Sequence, residues 1–541
     1  MKRWNGWGEE EIKYPIPPSA AIYLEANVGT GLSSQDIPKE NVLANIPASR
    51  LPPHPLVSID NEDRLRHARG QSLPDWIALR SGRIGVFPDG VAYPRTEQEV
   101  RTVLNYARKN RLRVIPYGGG TSVVGHINPP TENFPCLTLD LSNLNHLVYL
   151  DETSRLATFE AGVRGPDLEA QLQGRGYTLG HFPQSFEFST LGGWIATRSS
   201  GQQSYYYGRI EDLFAGGHVE MPDAHLELPV FPASAAGPDL REVILGSEGR
   251  FGVLTRATIR IRPHPEAEGF FAVFFHDMES GLNAIKEIVQ ADLPISMVRL
   301  SDAVETETTL ALAGRPKLVS RGSRLLTKLG YGKGRCLLLF GVAGKMETIR
   351  RLRSATHAIA RSYKGLPMGK LIGEQWRKSR FLTPYLRNTL WEKGYALDTL
   401  ETAVPWRSVS DTALRVKEAI VAAGVKLGEE VLVFSHVSNI YRDGASIYVT
   451  YLYPRQADPE ETLNRWQVMK SAASLAIIAQ RGTISHQHGV GRDHLLYLES
   501  EKGRLGLAIL KSIGITCDPH EILNPGALFE SDERRMNKHE N

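Results

Sequence analysis

Two kinds of residue in this 541-residue chain are spaced for chemistry. The first is glycine beside hydroxyl: PYGGGTS at 116–122 sets Gly118, Gly119 and Gly120 in a row, followed by Thr121 and Ser122. Three adjacent residues without Cβ permit positive φ and let successive N–H groups converge on an anion, and the hydroxyls add donors. A diphosphate suits such a loop. A second segment, 183–201, gathers Ser189, Thr190, Gly192 and Gly193, then Thr197 to Gly201; a third, GSEGRFGVLT at 246–255, follows the apolar VILG. One glycine cluster is commonly a tight turn, but three beside predicted strands outline the walls of one extended dinucleotide site. None has the G-x-G-x-x-G or G-x-x-x-x-G-K-[ST] spacing, which excludes the Rossmann and P-loop readings. The second kind is histidine. His486 and His488 stand two apart in the glycine-bounded SHQHGVG, where one imidazole can relay a proton while the other holds an anionic oxygen.

The elements that must position these loops are legible in part. Thr96 and Glu99 have capping-box spacing, and Val100, Val103, Leu104 and Ala107 follow at helical intervals, which predicts an amphipathic helix. RLRVIPY then reads as a strand entering the glycine loop, and CLTLDLSNL as the next strand. GVLTRATIRIRP alternates apolar and basic positions as a strand closing the first domain, and MPDAHLELPVFPASAAGPDL reads as a surface loop within it. After Pro263 the pattern changes to mixed helices and strands. The expected division is an N-terminal segment (1–84), a cofactor domain (85–265), a cap or substrate domain (266–480) and a C-terminal segment (481–541) that brings the histidines back to the cofactor.

Composition narrows the class. A charge of +3, from 63 basic and 60 acidic side chains, gives no global field for nucleic acid. Cys136, Cys336 and Cys517 have neither metal-ligand nor redox spacing, so no metal site and a reducing compartment are expected. Nowhere do eighteen apolar residues run together, which disfavours a membrane span. The C-terminal RRMNKHEN is polar and is not a peroxisomal address of the Ser-Lys-Leu kind.

Ten short motifs then occur in a telling order: RWNGWG, GGGTSV, Gly180-His181, FEFSTLGGW, GSEG, VRLSD around Arg299, YLRN around Arg387, VPW, GASIY and SHQHGVG. In this order the chain resembles the alkylglycerone-phosphate (alkyl-dihydroxyacetone-phosphate) synthase family, within the vanillyl-alcohol oxidase superfamily. The resemblance implies an α+β fold: a PCMH-type FAD-binding domain of two subdomains plus an α+β cap. It also implies FAD held without a covalent link, since no histidine stands within GGGTS and His126 reads as a loop residue. The implied FAD contacts are Pro116, Tyr117, Gly118, Gly119, Gly120, Thr121 and Ser122; Gln184, Ser185, Phe186, Glu187, Phe188, Ser189 and Thr190; Thr197, Arg198, Ser199 and Ser200; and Glu248, Gly249, Arg250, Phe251, Gly252, Val253 and Leu254.

The implied reaction replaces the acyl group of acyl-glycerone phosphate by a long-chain alcohol, through attachment of the substrate carbon to flavin N5, to give an ether lipid precursor. Tyr448 matches the family's catalytic tyrosine; with a reference pKa near 10 it needs cationic neighbours to act as a base at neutrality. His181, Arg299, His486 and His488 match other active-site positions, and Arg387 matches the substrate-binding arginine. Two departures leave the substrate open: Gln184 stands where the family has aspartate, and Gln487 where it has the middle of three histidines. The main alternative is an FAD-dependent D-2-hydroxy acid dehydrogenase or oxidase, whose G-H-x-G-D-G-N-x-H segment has its counterpart in FSHVSNIYRDGASIY; this keeps His436 but has Tyr448 near the place of the second histidine. A non-catalytic flavin-binding protein is a second alternative, opposed by the presence of Tyr448, His488, Arg299 and Arg387 together. The expected partner is a lipid-derived small molecule. Residues 319–340, with basic and apolar residues interleaved, form a candidate membrane-facing cap, the location is expected to be cytoplasmic and peripheral to a membrane, and a homodimer stays open.

Overall fold

In the computed structural model, which describes residues 1–33, 35–131 and 133–530, the predicted helix spans Glu97–Lys109. Thr96 Oγ1 accepts from Glu99 N at 3.1 Å, while the Glu99 carboxylate reaches one residue further back than a capping box requires, to Arg95 N. Its apolar stripe packs under a four-stranded sheet ordered Val57–Ser58, Gly90–Ala92, Cys136–Asp140, Arg113–Tyr117, with the last three parallel. The parallel pair leaves the end of Arg113–Tyr117 free to run into the glycine loop.

A second sheet, antiparallel throughout, is ordered Leu147–Asp151, Leu156–Glu160, Val253–Arg260, Phe214–Glu220, His225–Leu228. The predicted alternation holds on Val253–Arg260, where Ala257 and Ile259 are buried and Arg256, Thr258 and Arg260 are half-buried. Part of the expected surface loop is instead this sheet's edge strand, His225–Leu228; residues 229–240 are largely exposed coil.

The third sheet is antiparallel and seven-stranded: Leu366–Pro367, Ala267–Phe275, Cys336–Gly344, Met297–Ser301, Leu432–Ile440, Gly444–Pro454, Tyr395–Pro405. Helices Met278–Gln290, Met346–Ser362, Val409–Lys426 and Pro459–Ala479 cover one face, burying Phe271, Val273, Phe340, Val449 and Tyr451 among others. Each such side chain contributes about 1.5–3 kcal/mol. The apolar half of the expected membrane cap, CLLLF at 336–340, is a central strand here and its leucines are core, a correction to the sequence reading; only the preceding helix Pro316–Lys328 is exposed.

Two segments tie these units together. At the N-terminus, Trp7 and Asn388 exchange hydrogen bonds (3.1 and 2.9 Å) and Arg80 Nε donates to Asn5 O at 2.8 Å, so RWNGWG is wedged between helices Leu73–Ser81 and Leu386–Glu392. Near the C-terminus, Leu523 bridges Val114 in parallel, and Asp518 forms a buried ion pair with Arg250 at 3.1 Å. The polar tail RRMNKHEN lies outside the described residues.

Candidate active site

The glycine loop is built by close approach. A Cβ on Gly119 would lie 1.8 Å from Phe188 O, and one on Gly118 2.2 Å from Thr190 Oγ1, so loop 116–122 presses directly on loop 184–190. The third loop closes against the first, Gly249 resting on the Pro116 ring. The three loops therefore form one wall, as the sequence suggested, but part of the demand for glycine comes from loop-to-loop contact.

Many of the expected cofactor side chains are spent inside the protein. Ser122 Oγ meets His126 Nδ1 at 2.9 Å; Ser189 Oγ accepts from Trp194 Nε1 at 2.7 Å; Thr190 Oγ1 caps helix Leu191–Thr197; Thr197 Oγ1 donates to Gly193 O; Ser200 Oγ bonds Ser204 and Asn439. Phe186 stacks on Phe381, and Phe188 packs on Trp7. Arg198 pairs with Glu242. In the third loop the expectation needs correction: Arg250 is turned to Asp518 and the ring of Phe529, and Phe251, Val253 and Leu254 are core, so these side chains support the loop and only their backbone can meet a ligand. Glu248 reaches away to accept from Gly491 N (3.0 Å) and Val490 N, which clamps the histidine loop to the cofactor loops; burial pushes its carboxyl up to about 7. Gln184 is exposed, Ser185 and Glu187 are half-buried, and Thr121 and Tyr117 complete the wall.

Lys2, His126, Arg387, Tyr448 and Asp493 are all half-buried polar groups. Arg387 Nε and Nη2, His181 Nδ1, Gln487 Oε1 and Asp493 Oδ2 are buried without a protein partner. These orphaned donors and acceptors, together with a bare-backbone loop, suit an elongated ligand that carries phosphate and a polar ring, and FAD is such a ligand.

The reacting end is organised by strand register. Tyr448 sits directly opposite Glu401 on one neighbouring strand and His436 on the other, so the three side chains share a face. The His436 ring stacks on Tyr448 (5.0 Å, 14°), the His488 ring meets it edge-on (5.7 Å, 83°), and the phenol donates to Thr399 Oγ1 at 3.1 Å. Burial pushes the Tyr448 pKa well above 10, against which Arg299 pulls only weakly, so at neutral pH the residue is a phenol and a proton donor. Arg299 gives Nη2 to Glu305 Oε1 (2.7 Å), and the same oxygen meets His436 Nδ1 (2.9 Å). Burial alone would raise the Glu305 pKa; Arg299 and His436 together hold it below the usual carboxylate range.

Glu401 orders the histidine loop. Its Oε1 accepts from Gln487 N (2.6 Å) and His488 N (2.9 Å) and lies 3.5 Å from His488 Nδ1. Burial opposes its charge, yet His488 and His486 bring its pKa down to about 2. His486 does not serve as the relay expected of it: Arg209 Nη1 donates to its Nε2 at 2.6 Å and Tyr441 Oη lies 2.5 Å away, so the ring is locked into a neutral scaffold role, burial pushing its pKa down. His488 alone of the pair touches Tyr448. His181 bonds Ser199 Oγ at 3.2 Å, packs against Trp194 at a tilt of 54°, and is held neutral by burial, which pushes its pKa down to about 3. Arg387 spends Nη1 on Gln71 O (2.5 Å) and lies 4.4 Å over Trp76, leaving Nε and Nη2 without a protein partner.

Sequence reasoning missed Glu401, Glu305 and Arg209, and named Glu248 only as a cofactor contact. The available signal was an acidic residue inside an otherwise apolar strand, as in TLETAV at 399–404. Among the described residues no group of three or more His, Cys, Asp or Glu is placed to hold a metal ion.

Comparison with known proteins agrees with this layout. Residues 88–227 match an FAD binding domain and residues 264–528 the C-terminal domain of FAD linked oxidases. The chain is 29% identical over 540 residues to the alkyldihydroxyacetonephosphate synthase of Dictyostelium discoideum, covering 98% of this chain and 87% of that one. It is 26% identical over 455 residues to the glycolate oxidase subunit GlcD of Bacillus subtilis, covering 83% and 90%. A solved alkyldihydroxyacetonephosphate synthase superposes with a TM-score of 0.83 at 25% identity, covering 97% of this chain and 99% of that one. With both domains matched in order and the whole architecture shared, the chain belongs to the PCMH-type FAD-linked oxidase superfamily, and FAD is its cofactor.

Proposed function

We propose that this chain is an alkyldihydroxyacetonephosphate synthase-like enzyme, which exchanges the acyl group of an acyl-dihydroxyacetone phosphate for a long-chain alcohol without net redox change. Two observations carry the reading: Arg387 has Nε and Nη2 buried without a protein partner, and the Tyr448 phenol is held between His436 and His488. Together they offer a phosphate anchor and a proton donor. Bound FAD supplies the electron-accepting ring against which the substrate carbon reacts.

The chain's own residues supply the rest. Arg387 holds the substrate phosphate by parallel charge-assisted bonds, each worth about 1.5–3 kcal/mol. Tyr448 lends its proton to a substrate oxygen and takes it back as the ether product forms, its plane fixed between His436 and His488. Replacing a carboxylate leaving group by an alcohol releases one proton; His488 takes it, and the Glu401 carboxylate 3.5 Å away stabilises the imidazolium. The wedged N-terminal segment and the clamped histidine loop exclude water from the reacting carbon.

The same reading puts the enzyme in the cytoplasm at a membrane surface. Helix Pro316–Lys328 and the residue after it expose Leu318, Leu325 and Leu329, with Lys317, Arg321, Arg324 and Lys328 exposed beside them, a pattern suited to an anionic lipid surface. No described helix is long and apolar enough to cross a membrane.

The test is anaerobic. Mixing the flavoprotein with palmitoyl-dihydroxyacetone phosphate is expected to bleach the flavin and release palmitate, and a fatty alcohol to restore the colour. Bleaching by a D-2-hydroxy acid alone, reversed by an electron acceptor, overturns the proposal in favour of hydride transfer, the reading that likeness to the glycolate oxidase subunit supports.

A further inference from the structure

One deep cation has no part in the chemistry above. Lys2 is half-buried beside the glycine loop, where its Nζ donates to Gly119 O at 3.0 Å. An ammonium has three N–H groups and this bond uses one. The backbone of Lys2 is fixed from both sides, by a bridge to Glu9 and by Arg66 Nη1 donating to Lys2 O at 2.8 Å, so the side chain is delivered to the loop by structure. The Phe188 ring lies 5.9 Å from Nζ.

No carboxylate neutralises it. Among the described residues Lys2 makes no ion pair; the acidic group nearest in influence, Asp140, is already committed to His67 Nε2 (2.8 Å) and Ser142 N (2.7 Å). Its strongest charged neighbour is another cation, Arg164, which makes neither an ion pair nor a side-chain hydrogen bond with the described residues. Burial and Arg164 together push the Lys2 pKa down to about 8. Lys2 is bonded to the middle glycine of the first loop, and Arg164 bridges Thr190, whose hydroxyl lies against Gly118, so two cations without a carboxylate partner among the described residues border one anion-binding loop.

We propose that Lys2 and Arg164 clamp the FAD diphosphate at the glycine loop, which makes the N-terminal hairpin part of the cofactor site. This rests on FAD as the cofactor of the glycine loops and not on the synthase chemistry. The clamp has a pH signature. A bound diphosphate raises the Lys2 pKa above 8, so affinity for FAD is full below pH 8 and falls as the pH rises past it. The other charged groups around Lys2 are Arg66, Arg164, Asp140 and Glu9. Burial alone would raise the Asp140 pKa, but His67 holds it below the usual carboxylate range, and burial drives the nearby Tyr117 above 10.

The experiment follows FAD release from diluted holoenzyme by the rise of free-flavin fluorescence, at pH 7 and pH 9, in low and high salt. Lys2→Met is expected to release FAD about ten-fold faster or more at pH 7 in low salt, the loss of one charge-assisted bond. Lys2→Arg should release at the wild-type rate and lose the acceleration between pH 7 and pH 9. If Lys2→Met does not fold, judged by circular dichroism, Arg164→Met decides, with the same acceleration and the same sensitivity to salt expected. Release by Lys2→Met within about two-fold of wild type overturns the clamp while leaving FAD as cofactor. Wild-type protein that carries no FAD overturns both.

Discussion

Glu401→Gln isolates a single charge at the centre of the site. Glu401 is buried, and its Oε1 accepts from the amides of Gln487 and His488 at 2.6 and 2.9 Å. The glutamine keeps an acceptor oxygen and the shape but loses the charge. Two estimates of the cost agree. Lowering a carboxyl pKa from 4.5 to about 2 corresponds to about 3.5 kcal/mol at about 1.4 kcal/mol per unit. Turning two charge-assisted bonds into neutral ones costs about 1–1.5 kcal/mol each, about 2–3 kcal/mol together, so about 3 kcal/mol lies between the two. The assay is hydrogen exchange of peptides covering 484–491 in the holoenzyme. A loss of about 3 kcal/mol in local opening speeds exchange at Gln487 and His488 by about 100-fold, while the amides of the strand Gly444–Pro454 keep their protection. In the wild type the sign is that of a depressed acid: the contribution is complete above pH 4.5 and is lost as the pH falls through about 2. Exchange within about three-fold of wild type would refute the view that this carboxylate holds the loop.

Tyr448→Phe is expected to cut turnover by about 100-fold or more with flavin content unchanged, read by steady-state assay alongside the flavin spectrum. Arg387→Met should raise KM for the phosphorylated substrate by about 10- to 100-fold, the loss of one charge-assisted contact, with a smaller effect on kcat. Glu248, its carboxyl raised to about 7, favours the folded state fully below pH 4.5 and loses that contribution as the pH rises through 7; Glu248→Gln should therefore be more heat-stable than wild type at pH 8, by up to about 3 kcal/mol, and the advantage should vanish at pH 5. Reversing Lys317, Arg321, Arg324 and Lys328 to glutamate should abolish sedimentation with anionic liposomes and leave flavin content intact; unaltered binding counts against the membrane helix.

The sequence by itself determined the local matters. Apolar periodicity set the helix Glu97–Lys109 and the face of Val253–Arg260, because both are decided by neighbours three, four or two positions away. Glycine and hydroxyl runs placed the cofactor loops, since only a backbone without Cβ tolerates those contacts. Family motifs named Tyr448, His488 and Arg387. Only the tertiary structure could decide what each side chain is free to do. Glu401 and His436 flank Tyr448 because strands far apart in sequence pair in one register, and a shift of one residue would turn them to the other face. His486 and His488 looked alike in SHQHGVG, yet Arg209 and Tyr441 capture one and leave the other to the phenol. Arg250 read as a cofactor contact until Asp518, from the far end of the chain, neutralised it. A buried charge takes its role from the partner that satisfies it, and that partner is set by the fold.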